Sequence, residues 1–296
     1  MNTKLKGNII LLITAIIWGM SFVAQSVGME YIAPNTFMGI RTLMGGIVLL
    51  PVIFILDKSK KKQGTYKKTD MKKLLKYGVL CGVFLCVAQT LQTYGLQYTT
   101  TAKSGFLTAL YIIFVAIIGL FVGKKFTGKM VTGILTAILG MYFLCLFGES
   151  VSYNIGDGLT ILCAIFFAGQ ILCIDKIVSE VDGLKLSCTQ FLVAGTINAI
   201  LMFILETPDM ASILSCTTAL LYSGVMSCGV AYTLQVIGQR YAEPTSASII
   251  MSLESVFAAI SGWIILHEAM SISQIAGCLF MFLAIVLVQL PDKIRK

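Results

Sequence analysis

The chain has 296 residues, of which 57% are hydrophobic and only 12% charged, about half the ~25% of a soluble domain, and its formal net charge is +8. A soluble fold of this size would lack the polar side chains to cover its surface, and intrinsic disorder needs low hydrophobicity. The composition is that of a polytopic membrane protein, and the positive charge then reads as topology rather than as affinity for nucleic acid.

Ten apolar runs long enough to cross a ~30 Å hydrocarbon core follow one another at 8–27, 33–56, 74–96, 102–122, 130–148, 156–175, 186–205, 212–238, 244–266 and 271–290. Span 1 follows Lys4 and Lys6, but its apolar core is long and no small-x-small cleavage site follows. It reads as a retained span rather than a signal peptide. Pro34 and Pro244 stand at the first turn of spans 2 and 9, where a missing N–H costs least. Gly78-x-x-x-Gly82 and Gly119-x-x-x-Gly123 have the spacing of internal helix-packing motifs. Cys81, Cys86, Cys145, Cys163, Cys173, Cys188 and Cys278 lie inside apolar runs without metal-ligand spacing, so they read as small hydrophobes.

Of the 22 Lys and Arg residues, 20 fall on one side if the N-terminus is cytoplasmic, nine of them between Lys58 and Lys76. Lys103, at the head of span 4, is the exception in the outside loops. The positive-inside rule therefore places both termini in the cytoplasm and the Ser150–Ile155 connection outside. The basic stretch reads as a topology determinant on a solvated loop. The expected place is the plasma (inner) membrane, with the lipid bilayer as partner.

The two halves repeat. At an offset of 143, Ala88–Tyr98 lies over Ala231–Tyr241 with six of eleven positions identical, and Phe114, Ala116 and Gly119 lie over Phe257, Ala259 and Gly262. At an offset of 149, Ala15, Trp18 and Ser21 lie over Ala164, Phe167 and Gln170. The expected division is residues 1–149 and 150–296, five spans each. Five is odd, so the second half enters from the opposite side. Such inverted repeats are typical of secondary transporters with a site near the midplane.

Three segments carry a family resemblance: Ile17-Trp-Gly-Met-Ser-Phe22 in span 1, Arg41 at the end of Phe37-Met-Gly-Ile-Arg in span 2, and Ser252 to Glu268 across span 9, ending Leu-His-Glu. Together with ten spans in two halves they resemble the EamA family of the drug/metabolite transporter superfamily. The chain departs from that pattern in three places. The proline common in mid-span 4 and 9 is Ile112 and Ser255, and the acid expected after span 4 is Lys125. The resemblance implies transport or export of small metabolites and does not fix the substrate.

Glu254 in span 9 and Arg41 in span 2 are the acid and the clear base deep in the bilayer. Each costs about 2.5–3.5 kcal/mol at a helix centre, so each is expected to face a cavity or a partner, including one another. Ser104, Thr108 and Tyr111 share one face of span 4, and Tyr111 is the repeat mate of Glu254. Gln89, Gln92 and Thr93 cluster in span 3, answered by Tyr232 and Gln235 in span 8. Span 1 offers Thr14, Trp18, Ser21 and Gln25. Span 6 offers Gln170 and span 7 Gln190, the mate of Arg41. The candidate translocation residues are Glu254, Arg41, Trp18, Ser21, Gln89, Gln92, Tyr111, Gln170, Gln190, Tyr232 and Gln235. For an individual Ser or Thr, interhelical hydrogen bonding is the simpler role.

One histidine, His267, argues against a zinc site or a Ser/His/Asp triad, and no Walker motif is present. No cofactor and no metal are expected, and a single deep acid is too little for an intramembrane enzyme or for a channel's charged ring. The leading expectation is a secondary carrier for amino-acid-like or drug-like solutes, working in efflux by alternating access. Spans 1–5 would rock against 6–10, with a proton as the candidate coupling ion. The alternative is a flippase for a lipid or lipid-linked metabolite. The oligomeric state stays open.

Overall fold

A computed structural model describes residues 3–66, 68–98, 101–123, 127–147, 154–265 and 270–289, and among these there is no strand. The helices are α1 (Thr3–Met29), α2 (Pro34–Lys62), α3 (Met71–Leu96), α4 (Thr101–Ala109), α5 (Tyr111–Phe121), α6 (Gly128–Cys145) and α7 (Ile155–Ile177). Then come α8 (Gly183–Leu205), α9 (Met210–Ser215), α10 (Thr217–Leu221), a π-helix (Tyr222–Ala231), α11 (Tyr232–Gln239), α12 (Pro244–Met251), α13 (Glu254–Ile265) and α14 (Ile272–Gln289). Lys125, His267, the terminal Leu266–Glu268 and most of the Ser150–Ile155 connection lie outside the described residues.

Over their described residues all ten apolar runs fall mainly on helices. Eight are long and apolar enough to cross a membrane, taking 104–121, 217–239 and 244–265 as single crossings. The other two, α6 and α14, have 18 residues each, about 27 Å at 1.5 Å per residue. Helix starts follow local chemistry. Pro34 and Pro244 open α2 and α12, Asp70 and Asp182 cap α3 and α8, and Asn154 with Asp157 forms a capping box on α7.

Spans 4 and 9 are interrupted at corresponding points although neither carries the family's proline. The first breaks at Leu110, the second at Ser252 and Leu253. Backbone bonds shorten there to three residues, Leu110 N–H to Leu107 O and Leu253 N–H to Ile250 O. Ser248 and Ser252 turn their hydroxyls back onto Thr245 O and Ile249 O. In span 9 these side-chain bonds to the backbone accompany the break.

The repeat halves interleave. The most extensive helix pairings are α2 with α8, α6 with α14 and α3 with α7, each joining one half to the other. Mates run antiparallel, as inversion requires. Along α2 and α8, Gly39 meets Ala199, Gly46 meets Leu192 and Asp57 pairs with Lys185 at 2.7 Å. Gly140 of α6 lies against Met281 N, and Gly277 of α14 against Leu144 N, so a Cβ on either would collide with backbone. Two trios remain: α1 with α11 and α12–α13, and α7 with α3 and α4–α5. Each takes helices from both halves.

Two packing expectations resolve differently. Gly78 and Gly82 face Thr189 and Val193 of α8, an internal contact. Gly123 lies past the end of α5 with a φ of 81° and nothing within 4 Å of its Cβ position, so the second motif is a turn residue rather than a packing pair.

Candidate functional site

A cavity of about 50 Å³ lies between the trios, room for a few water molecules. Nine of the eleven expected residues line it: Trp18, Ser21, Arg41, Gln92, Tyr111, Gln170, Tyr232, Gln235 and Glu254. Gln89 and Gln190 stand one layer back. Gln89 Nε2 donates to the Tyr232 hydroxyl at 3.1 Å, and Gln190 Oε1 accepts from Gln170 Nε2 at 3.1 Å. Gln25 and Thr108, members of the polar stripes, also line the cavity.

The helix breaks aim two residues at this point. Tyr111 is the first residue of α5 and Glu254 the first of α13, and the Tyr111 hydroxyl donates to Glu254 Oε1 at 3.5 Å. A carboxylate in the first turn of α13 is favoured by the partial positive charge of the helix start. Glu254 enters about 15 Å from the Pro244 end, and Arg41 about 10 Å from the Pro34 end, at 1.5 Å per residue.

Arg41 and Glu254 share the cavity without pairing. Arg41 Nη1 donates to Gln25 Oε1 at 2.8 Å and its guanidinium lies 5.6 Å from the Phe37 ring centre. Among the described residues no ion pair joins Arg41 to Glu254, so the pairing that the sequence left open is not formed.

An amide bond crosses between the trios, Gln235 Nε2 donating to Gln170 Oε1 at 3.2 Å, and within the second trio Gln92 Nε2 donates to Thr108 Oγ1 at 3.1 Å. Trp18 packs on Tyr232 with ring centres 4.5 Å apart. Several buried polar atoms here have no protein partner among the described residues: the donors Trp18 Nε1, Gln25 Nε2 and Arg41 Nε, and the acceptor Gln235 Oε1. Buried polar atoms are rarely left without a water, ion or ligand to bond. No group of His, Cys, Asp and Glu that could hold a metal occurs among the described residues.

Phe22, Phe167, Ile171, Ser227 and Met251 also line the cavity and were not expected. Phe167 had a signal, its pairing with Trp18 at offset 149. Ser227 had none, because it is presented by the π-helix, whose wider turn re-registers the face of span 8.

The comparisons agree with this architecture. The profile of the EamA-like transporter family matches residues 5–146 and again 154–290. An "Uncharacterized transporter" of Archaeoglobus fulgidus is 29% identical over 288 residues, covering 97% of this chain and 87% of its own. The "Uncharacterized transporter YoaV" of Bacillus subtilis is 25% identical, covering 89% and 90%. A solved crystal structure superposes with a TM-score of 0.77 at 15% identity, over 96% of this chain and 98% of the other, which is a likeness of fold. The chain is a multi-pass membrane protein and belongs to the EamA-like transporter family.

Proposed function

We propose that the chain is a secondary carrier that exports small solutes bearing both a carboxylate and an ammonium, by alternating access. The carrying observation is that Arg41 and Glu254 line one cavity unpaired with each other. Leaving two opposite charges apart in a low-dielectric interior is costly unless a ligand satisfies both. The unpartnered donors Gln25 Nε2 and Arg41 Nε suit a carboxylate. Glu254 and Gln235 Oε1 suit an ammonium. Trp18, Phe167 and Tyr232 offer an apolar wall for a side chain. A lining so polar suits a small polar solute better than acyl chains.

The packing favours motion of the mixed trios rather than of one sequence half against the other. Rocking spans 1–5 against 6–10 would break the α2–α8, α3–α7 and α6–α14 interfaces together. The end of the molecule that carries Lys58–Lys76 and Lys185 is proposed as cytoplasmic, with both termini there. Proteoliposomes test the reading. Zwitterionic amino acids should move, and move further under an imposed pH gradient, while their amides or esters should not. Equal movement of acids and esters would overturn the assignment.

A further inference from the structure

The two ends of the molecule are not in the same state, although the repeat makes them equivalents. At the basic end Arg240, just past α11, donates from Nε and Nη2 to Val178 O at 3.0 and 2.7 Å, and from Nη2 to Val181 O at 2.9 Å. Val178 is the C-cap of α7, where unpaired C=O groups favour a cation, and Val181 lies in the turn that follows it. Gln239 Nε2 adds a bond to Ile171 O at 3.1 Å. Val236 of α11 completes the seal by packing among Ile177, Val178, Val181 and Leu186. One trio is thereby fastened to the other beneath the cavity.

The repeat mates of Arg240, Val178 and Val181 are Gln97, Met29 and Ile32. At the opposite end no hydrogen bond joins Gln97 to Met29 or Ile32 among the described residues. These three residues line an open cleft of about 440 Å³, and the Gln97 side chain is exposed. The cleft reaches Ser26, the residue after cavity-lining Gln25. Leu96, the mate of Gln239, lines the cleft, while Phe22, the mate of Ile171, lines the cavity. The contact made at one end is missing at the other.

We infer that Arg240 is the latch of a basic-end gate, and that Gln97 closing onto Met29 and Ile32 is its counterpart when the carrier faces the other way. In an inverted repeat, exchanging the conformations of the halves exchanges the open end for the closed one. The latches differ in chemistry. A guanidinium makes charge-assisted bonds to the Val178 and Val181 carbonyls, whereas Gln97 brings a neutral amide. The chain therefore rests closed at the basic end and open at the opposite one. Arg240 is a positioning residue and touches no solute.

The inference rests on the alternating-access reading, and the test separates the two. A cysteine-free chain carrying Ile171→Cys is reconstituted in liposomes and labelled with a membrane-impermeant maleimide from either side. With Arg240 present, labelling should come chiefly from the side opposite the basic end. Arg240→Gln and Gln97→Arg should each raise labelling from the basic side several-fold, the first by loosening one latch and the second by strengthening the other. An unchanged side ratio in both variants overturns the latch. Should Arg240→Gln fail to accumulate, Gln97→Arg decides by itself at its exposed position. Shifted labelling with no gradient-driven solute movement by the parent chain would keep the latch and sink the carrier reading. Solute movement with unshifted labelling would sink the latch alone.

Discussion

Tyr111 and Glu254 are repeat mates that touch: the Tyr111 hydroxyl donates to Glu254 Oε1 at 3.5 Å across 143 residues of sequence. Gln89 and Tyr232, bonded at 3.1 Å, are separated by the same 143. A residue meets its own mate only where the axis relating the halves passes, so the axis runs through the cavity. The two mates differ in chemistry there, an acid against a phenol. The halves are thus equivalent in fold and unequal in charge at the one place a solute would see both.

Glu254→Gln should abolish acceleration by a pH gradient and weaken, without abolishing, solute exchange at equilibrium, since the amide keeps the shape and an oxygen that can accept from an ammonium but cannot carry a proton. Tyr111→Phe, which removes only the bonded hydroxyl, should keep gradient coupling. Parallel counterflow and gradient-driven assays check this. Gradient-driven transport by Glu254→Gln at the parental rate would rule the residue out as the coupling group.

Arg41→Ala should weaken zwitterion transport about 10–100-fold, the factor expected from losing a hydrogen bond to a charged group worth about 1.5–3 kcal/mol. Arg41→Lys should recover part of it, because Lys keeps the charge but not the planar fork. Apparent affinity from concentration-dependent uptake is the measurement. An equal loss for the acid and its ester would point to folding instead.

Topology is checked at two exposed positions, Gln63 on the basic loop and Ala211 in α9. In a cysteine-free chain, Gln63→Cys should react with an impermeant reagent from the cytoplasm only, and Ala211→Cys from outside only. Both reacting from one side would break the alternation on which the inverted repeat depends.

Asp182 caps α8, accepting from the Leu184 and Lys185 N–H groups, and pairs with Lys60 at 3.0 Å. Burial pushes its carboxyl upward, but the bond from Lys60, the Lys185 backbone and the two ammonium charges outweigh burial and hold it below the ordinary value. Its stabilisation is therefore complete above the unfolded value of about 3.9 and is lost as pH falls through the lower folded one. Thermal melts in detergent should show Asp182→Ala destabilised by about 0.5–2 kcal/mol at neutral pH. Asp182→Asn, which keeps the cap, should lose less and decline less steeply in acid. An acid limb identical to the parent's in both variants would remove Asp182 from the account.

The sequence by itself determined the ten apolar runs, the 143- and 149-residue offsets and the lone deep acid and base, Glu254 and Arg41. These are one-dimensional properties. Spanning length, charge and internal similarity can be read without knowing which segments meet. It also named nine of the residues that line the cavity, because polar groups inside apolar runs have few places to go. Only the tertiary structure decided the rest. The breaks before Tyr111 and Glu254 occur without proline, and the π-helix at Tyr222–Ala231 brings Ser227 to the cavity, because small changes in backbone hydrogen-bond register are settled by neighbouring helices. Arg41 bonds Gln25 rather than Glu254, and Arg240, which counts in the sequence as one more cytoplasmic charge, caps α7. Both depend on side chains brought within about 3 Å of partners 16 and 62 residues away, and that is fixed by how the helices pack rather than by the residues beside them in the chain.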